Sequence, residues 1–135
     1  MDRTESPKTL FKVLKSNSLI GILADQDIRK VNGVFVNFFG MPAYTPTAPV
    51  QLALGAKCPM LPTVMVRDKN NKYYHHLIIS PPLDLINDRK NPDAIVENTQ
   101  RWSTILEKHI RKYPDQWVWM HKRWKTTPEK LKKEK

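Results

Sequence analysis

Leu19-Ile20-Gly21-Ile22-Leu23-Ala24 is a continuous apolar run, and it stops at the polar Asp25-Gln26-Asp27. A short apolar stretch without alternation suits a strand covered on both faces, the kind found inside sheets flanked by helices. Downstream, Asn32-Gly33 opens a second strand candidate, Val34 to Phe39, and Gly40 closes it. Thr47 to Ala56 reads as a helix, with Pro49 tolerated in the first turn and Gly55 near the end. Met60 to Arg67 is a third strand, whose Pro62 calls for an edge position or a bulge. Asp68 to Lys72 is a turn, and Tyr73 to Ile79 returns as a fourth strand, so this pair reads as a hairpin.

Helices flank these strands. Lys8 to Lys15 presents Leu10, Phe11, Val13 and Leu14 as a rough apolar face before Ser16-Asn17-Ser18 interrupts it. Asn91 suits a cap and Pro92 the first helical position. Ile95, Thr99, Trp102, Leu106 and Ile110 then follow at steps of three and four, a stripe running to about Lys112 before Pro114 stops it. The expected fold class is therefore α/β, a partial mixed sheet flanked by helices.

The chain has 135 residues, enough for one domain, and a formal net charge of +10. Such a surplus points to nucleic acid, an anionic membrane surface or an acidic protein as partner. The single cysteine, Cys58, rules out an internal disulfide and a cysteine-based zinc cluster. It fits a reducing compartment. No apolar run reaches transmembrane length, and Met1 to Pro7 lacks the apolar core of a secretory signal.

Asp25 and Asp27 fall where the first strand runs out, the end at which open α/β sheets gather their ligands. They would polarise a catalytic group, bind a metal, or cap the turn into Asn32-Gly33. Thr45 and Thr47 flank Pro46 ahead of a helix, where a hydroxyl caps and a helix start receives anions. His75 and His76 point to opposite faces of one strand and do not share a site. Ser80 has no glycine elbow around it. Trp117 to Lys125 interleaves aromatics with bases, which suits a membrane interface, stacking on single-stranded nucleic acid, or packing on the sheet with solvated bases. His121 to Lys135 is rich in Lys and reads as a solvated, fraying end.

Four of these stretches, in this order, resemble the late acyltransferases of lipid A biosynthesis, the lauroyl and myristoyl transferases of Gram-negative bacteria. They are Gly21 to Asp27 (GILADQD), Gly33 to Gly40 (GVFVNFFG), Tyr44 to Thr47 (YTPT) and Pro114 to Lys125 (PDQWVWMHKRWK). The phosphatidylinositol mannoside acyltransferases share the general pattern. The resemblance implies the carboxy-terminal half of a glycerolipid-acyltransferase-like fold, with residues 1–128 as part of the acyltransferase domain and 129–135 as a basic tail. It implies acyl transfer from acyl carrier protein or acyl-CoA to a hydroxyl of an anionic glycolipid, without a cofactor or a metal. It also implies peripheral contact with the cytoplasmic face of the inner membrane. Nucleic acid is not an expected partner, although a small basic nucleic-acid-binding module is the reading that charge and aromatics alone would leave.

By the same resemblance Asp25 is the acidic position near the active site. Thr45, Thr47, His121, Lys122, Arg123 and Lys125 are the candidate substrate-binding residues. The family's base is a His in an H-x-x-x-x-D/E motif, in which His activates the acceptor hydroxyl and the acid orients it. Five positions after His75, His76, His109 and His121 stand Ser80, Pro81, Pro114 and Thr126, none of them acidic. No catalytic residue is therefore expected in this chain, which reads as a fragment lacking the half that carries the His and the membrane anchor.

Overall fold

A computed structural model describes residues 7–88 and 90–132. Its elements in order are helix α1 (Pro7–Lys15), strands β1 (Gly33–Phe38) and β2 (Met41–Pro46), helix α2 (Ala48–Ala56), strands β3 (Thr63–Arg67) and β4 (His75–Ile79), and helix α3 (Ala94–Lys112). A 3₁₀ turn at Pro114–Gln116 and the short helix α4 (Pro128–Lys132) follow. The chain is mixed α and β, as its sequence pattern implied. The strands, however, form two separate antiparallel hairpins, β1–β2 and β3–β4, and no single mixed sheet joins them among the described residues.

The first hairpin contains a strand that its prolines conceal in the sequence. Pro42 faces Asn37 and Pro46 faces Gly33 across the ladder. Antiparallel pairs alternate between hydrogen-bonded and non-hydrogen-bonded, and these two lie on the same phase. Asn37 turns its peptide group outward, so both proline nitrogens also face outward and cost no ladder bond. The turn itself is Phe39-Gly40, with φ of 53° and 80°. Positive φ at both central residues is the geometry that matches strand twist, and Gly40 adopts it freely while Phe39 does not. Phe39 is held there from three sides. Its N–H donates to Glu107 Oε2 at 2.8 Å, its ring lies 4.7 Å from the Arg111 guanidinium, and it stacks on Trp117 at 6.5 Å.

The core lies where this hairpin meets α3. Phe38, Ala43 and Ile110 are buried at its centre, with Phe39, Leu106, Trp117 and Trp124 packed around them. Thr99, Trp102 and Ile110 of the expected stripe are buried and Ile95 and Leu106 half-buried, so the 3.6-residue period located the inner face. Asp93, not Asn91, stands at the N-cap of α3, and Asn91 Oδ1 instead accepts the Asp93 N–H at 2.9 Å. Thr47 is the N-cap residue of α2, but its hydroxyl donates to Asn32 O at 3.2 Å rather than capping. Gly55 does not end that helix. Lys57 does, at φ 54°, while Gly55 lets the Phe11 ring of α1 approach so closely that a Cβ would sit 2.8 Å from it.

The run that opened the sequence is not a buried strand here. Residues 19–24 have no regular structure, and Leu19 and Leu23 are 84 % and 87 % exposed. One peptide group at the edge of each of two strands is taken by a side chain. Gln100 covers the outer edge of β1 by accepting Asn37 N–H at 2.7 Å and donating to Asn37 O at 2.9 Å. Gln116 does the same for Arg67 at the edge of β3, at 2.7 and 3.2 Å. A carboxamide carries one donor side and one acceptor side, so it completes a peptide group as a neighbouring strand would.

The second hairpin is paired from Thr63↔Ile79 to Arg67↔His75, close to the expected bounds. Its turn is organised by Asp68. Oδ1 accepts the Asn70 and Asn71 N–H groups at 2.8 and 2.9 Å, and Oδ2 lies 2.7 Å from His76 Nε2. The His76 hydrogen bond, followed by those two backbone bonds, lowers the Asp68 carboxyl from 3.8 to about 2. A depressed carboxyl contributes stability that is complete above its unfolded value and fades as pH falls through the folded one. The turn should therefore loosen between pH 3.8 and about 2. Carboxyl NMR titration should place Asp68 near the lower figure, and His76→Ala should move it up toward the higher; an unmoved midpoint would remove His76 as the cause.

Candidate functional site

Of the residues singled out in the sequence, Thr45, Asp25 and Asp27 gather around one buried cation, Arg123. Arg123 is 1 % exposed. Its Nη1 donates to Tyr44 O at 2.7 Å and its Nη2 to Thr45 Oγ1 at 2.6 Å. Tyr44 faces Phe35, two pairs along from the outward-facing Asn37, so its carbonyl also points out of the hairpin. The guanidinium thus occupies the outer edge of β2, and it lies 5.1 Å from the Phe38 ring. Burial pulls the Arg123 guanidinium below its ordinary value, while the charges of Asp27 and then Asp25 push it back up. A planar donor fork is the cation best suited to such a place.

The two carboxylates belong to the same assembly. Asp27 neither caps the Asn32-Gly33 turn nor stands free. Its Oδ2 accepts Thr126 N–H at 2.6 Å and its Oδ1 accepts the Thr126 hydroxyl at 2.7 Å. Asp25 is half-buried and reaches Arg123 through charge. Among the described residues no cluster of three His, Cys, Asp or Glu side chains is arranged to hold a metal. Thr45, fully buried, also donates its hydroxyl to Ala43 O at 3.0 Å, while Thr47 points the other way, to Asn32.

Residues 117–125 divide between inside and outside. His121 packs edge-on against Trp117 at 5.2 Å, and its buried Nε2 has no partner among the described residues. Trp117 and Trp124 lie 5.8 and 6.0 Å from Phe38. Val118, Trp119, Met120, Lys122 and Lys125 face out, Met120 being 90 % exposed. The expectation of a solvated end from His121 onward is therefore corrected, since Arg123 and Thr126 are buried and tied to the hairpin and to Asp27. Trp119 is held rigidly: its indole N–H donates to Pro114 O at 2.6 Å.

Sequence reasoning missed two arrangements. Glu107 joins the site by holding Phe39. Burial raises its carboxyl, but the Phe39 N–H and the Arg111 guanidinium, 2.7 Å away, outweigh that and leave it lowered. An i,i+4 Glu–Arg pair was legible, but its second partner across the fold was not. Ser80 Oγ and His109 Nε2 also meet, at 3.2 Å. The pair fastens the end of β4 to α3, and no acid is bonded to His109 among the described residues.

Comparison with known proteins gives this arrangement a context. Residues 1–126 match the family model described as bacterial lipid A biosynthesis acyltransferase. The chain is similar to the lipid A biosynthesis lauroyltransferase of Escherichia coli K12, 33% identical over 128 residues, covering 90% of this chain and 39% of that protein. It is 31% identical over 122 residues to the lipid A biosynthesis acyltransferase of Haemophilus influenzae, covering 89% of this chain and 38% of that protein. A lipid A biosynthesis palmitoleoyltransferase of E. coli K12 matches at 29% over 116 residues, 85% of this chain and 36% of that protein. The chain thus spans under two-fifths of the length of these curated relatives.

Removing Arg123 would leave the buried Tyr44 carbonyl without this donor and the Thr45 hydroxyl with Ala43 O alone, and would take a positive charge from the field of Asp27 and Asp25. Arg123→Ala should cost about 2 kcal/mol, the scale for leaving a buried hydrogen-bonding group without its partner. Lys122→Ala and Lys125→Ala, on exposed side chains, should stay within about 0.5 kcal/mol. Urea unfolding of the three variants checks this; an Arg123→Ala midpoint equal to that of the lysine variants would show that the guanidinium does not hold the fold.

Proposed function

The chain belongs to the bacterial lipid A biosynthesis acyltransferase family, and on that premise we propose that it forms the carboxy-terminal part of an enzyme that moves a fatty acyl chain onto a glycolipid hydroxyl. The observation that carries the proposal is the family match over residues 1–126, within which Arg123 joins the Thr45 region to the Asp25–Asp27 loop. The lipid A acceptor is favoured over a mannoside because each of the relatives compared is named for lipid A.

In the proposed reaction the acceptor hydroxyl attacks the carbonyl of a thioester carried by acyl carrier protein or CoA. A carbon–oxygen bond forms, the carbon–sulfur bond breaks, and the hydroxyl proton passes through the His of an H-x-x-x-x-D/E pair to the leaving thiolate. No His of residues 1–135 has an acid five positions after it. What this chain contributes is a frame: Arg123 bound to Thr45 and Tyr44, Asp25 beside it, and Lys122 and Lys125 on the surface. Arg123 and His121, being inside, support the site rather than touch a headgroup.

The outward half of residues 117–125 supports contact with an anionic bilayer. Val118, Trp119 and Met120 offer apolar area beside Lys122, and bases near such area draw it toward negative headgroups. No described helix is long and apolar enough to cross a membrane. Vesicles with anionic lipid should bind the chain, binding should weaken as salt rises, and Met120→Asp with Lys122→Ala should reduce it about tenfold. Salt-independent binding, or an unaffected double variant, would move the contact elsewhere.

Expressed alone, the chain should show no acyl transfer from acyl carrier protein to a lipid A precursor. Fused to the part of the E. coli lauroyltransferase that lies outside the matched region, it should restore transfer. Activity from the isolated chain, or a folded fusion that acylates a mannoside but not the lipid A precursor, would refute this assignment.

A further inference from the structure

The positive charge of the chain is not spread evenly. From Ser6 to Arg67 the only acids are Asp25 and Asp27, while five Lys and two Arg fall in the same span. Both acids lie in the field of the buried Arg123, and Asp27 is bound twice to Thr126. Helix α1 carries three of the bases, Lys8, Lys12 and Lys15, at steps of four and three, so they share one face. All three are exposed, and the stripe runs about 10 Å along the helix. Among the described residues Lys12 and Lys15 have no acidic partner.

Helix stability does not account for the whole stripe. Lys12 and Lys15 lie toward the end of α1, where the negative pole of the helix dipole favours a base. Lys8 lies in the first turn, where the dipole favours an acid, and no acid is there. Helix α3 has the opposite arrangement, with Glu97 in its first turn and Arg111 paired to Glu107 at 2.7 Å. Nor is the stripe built like the surface at residues 118–122, where Val118, Trp119 and Met120 put apolar area beside Lys122. On α1 the apolar Leu10, Phe11, Val13 and Leu14 are half-buried, Phe11 against Gly55 of α2, and the exposed positions from Lys8 to Lys15 are the three lysines and Thr9. A bilayer holds an amphipathic surface by apolar insertion together with charge. Small anionic ligands take concave sites. A row of bases on the outside of a helix offers charge alone, which suits an acidic protein steered by long-range attraction.

We propose that Lys8, Lys12 and Lys15 of α1 form a docking stripe for an acidic protein, the carrier that presents the acyl thioester in the reaction described above. The inference rests on that reading and deepens it, because it chooses a protein-borne donor over free acyl-CoA and assigns the donor a surface. The stripe adds no residue to the chemistry. It also divides the basic surface between two partners, the carrier at α1 and the anionic bilayer at residues 118–122, so that one contact can be removed while the other stays.

The test titrates the chain against dye-labelled E. coli acyl carrier protein, read by fluorescence anisotropy, and in parallel against vesicles with anionic lipid. Carrier binding should weaken as salt rises, because exposed charges make the contact. Lys12→Glu with Lys15→Glu should weaken carrier binding about tenfold or more and vesicle binding by no more than about twofold. Lys122→Glu with Lys125→Glu should do the reverse. If the first pair unfolds the chain, shown by lost amide protection at residues 33–46, Lys12→Gln with Lys15→Gln takes its place, with a loss of about threefold expected. Absence of carrier binding, or equal loss from both pairs, would overturn the proposal. So would an α1 pair that loses vesicle binding instead, in favour of the bilayer, or displacement of the carrier by an equal concentration of CoA, in favour of a small anionic donor. Acyl transfer is read separately in the fusion with the rest of the E. coli lauroyltransferase, where the α1 pair should raise KM for the acylated carrier and keep kcat. Carrier binding without transfer leaves the docking stripe standing and refutes the catalytic reading, while transfer with KM unmoved by the α1 pair does the reverse.

Discussion

The Arg123 guanidinium is the point on which the fold closes. A charge taken out of water carries a desolvation cost of several kcal/mol unless its hydrogen bonds and countercharges are in place. Here Tyr44 O and Thr45 Oγ1 take two donors, the Phe38 ring lies alongside, and Asp27 and Asp25 supply negative charge, while the buried Nε has no partner among the described residues. The same side chain is what draws residues 117–126 back onto the first hairpin, so that Trp117 and Trp124 reach Phe38. One interaction therefore seals the core, covers a strand edge and fixes the Asp27–Thr126 junction three residues away.

A second principle organises the rest: side chains, not strands, complete the sheet edges. Gln100 on Asn37 and Gln116 on Arg67 each use both ends of a carboxamide, and Asn98 does the same for Ile86 in the loop before α3, at 2.9 Å each way. Asn98 is fully buried, so its amide has no water to fall back on and both bonds are needed. Two-stranded hairpins are marginal on their own. Fastened in this way to α3 and its continuation, they keep their register without a third strand.

Period and punctuation made much of this legible. The stripe on α3, the hairpin after Asp68 and the helix after Thr47 follow from spacing and from local breakers, whose physics is contained within a few residues. Strand β2 was hidden because proline is read as a strand breaker, and only the phase of the ladder reveals that Pro42 and Pro46 face outward. The basic motif near the end was legible as chemistry but not as placement. His121, Arg123 and Trp124 turn in while Trp119, Met120 and Lys122 turn out, and no helical or strand period runs through a segment of successive turns. Long-range partners such as Glu107 with Phe39, or Asp27 with Thr126, leave no local trace at all.

The exposed run Leu19–Ala24 is a different kind of discrepancy, because the composition of a segment reflects the environment in which it has to be stable. Burying a single Leu contributes on the order of 2 kcal/mol, and exposing several forgoes that gain while inviting association. Asp27 is bound twice to Thr126, single peptide groups at the edges of β1, β2 and β3 are taken by side chains, and the Phe11 ring of α1 meets Gly55 of α2. The two carboxylates that end the run place their charge in the field of Arg123. Anything that orders the run is therefore linked, through Asp25 and Asp27, to the interaction that closes the core.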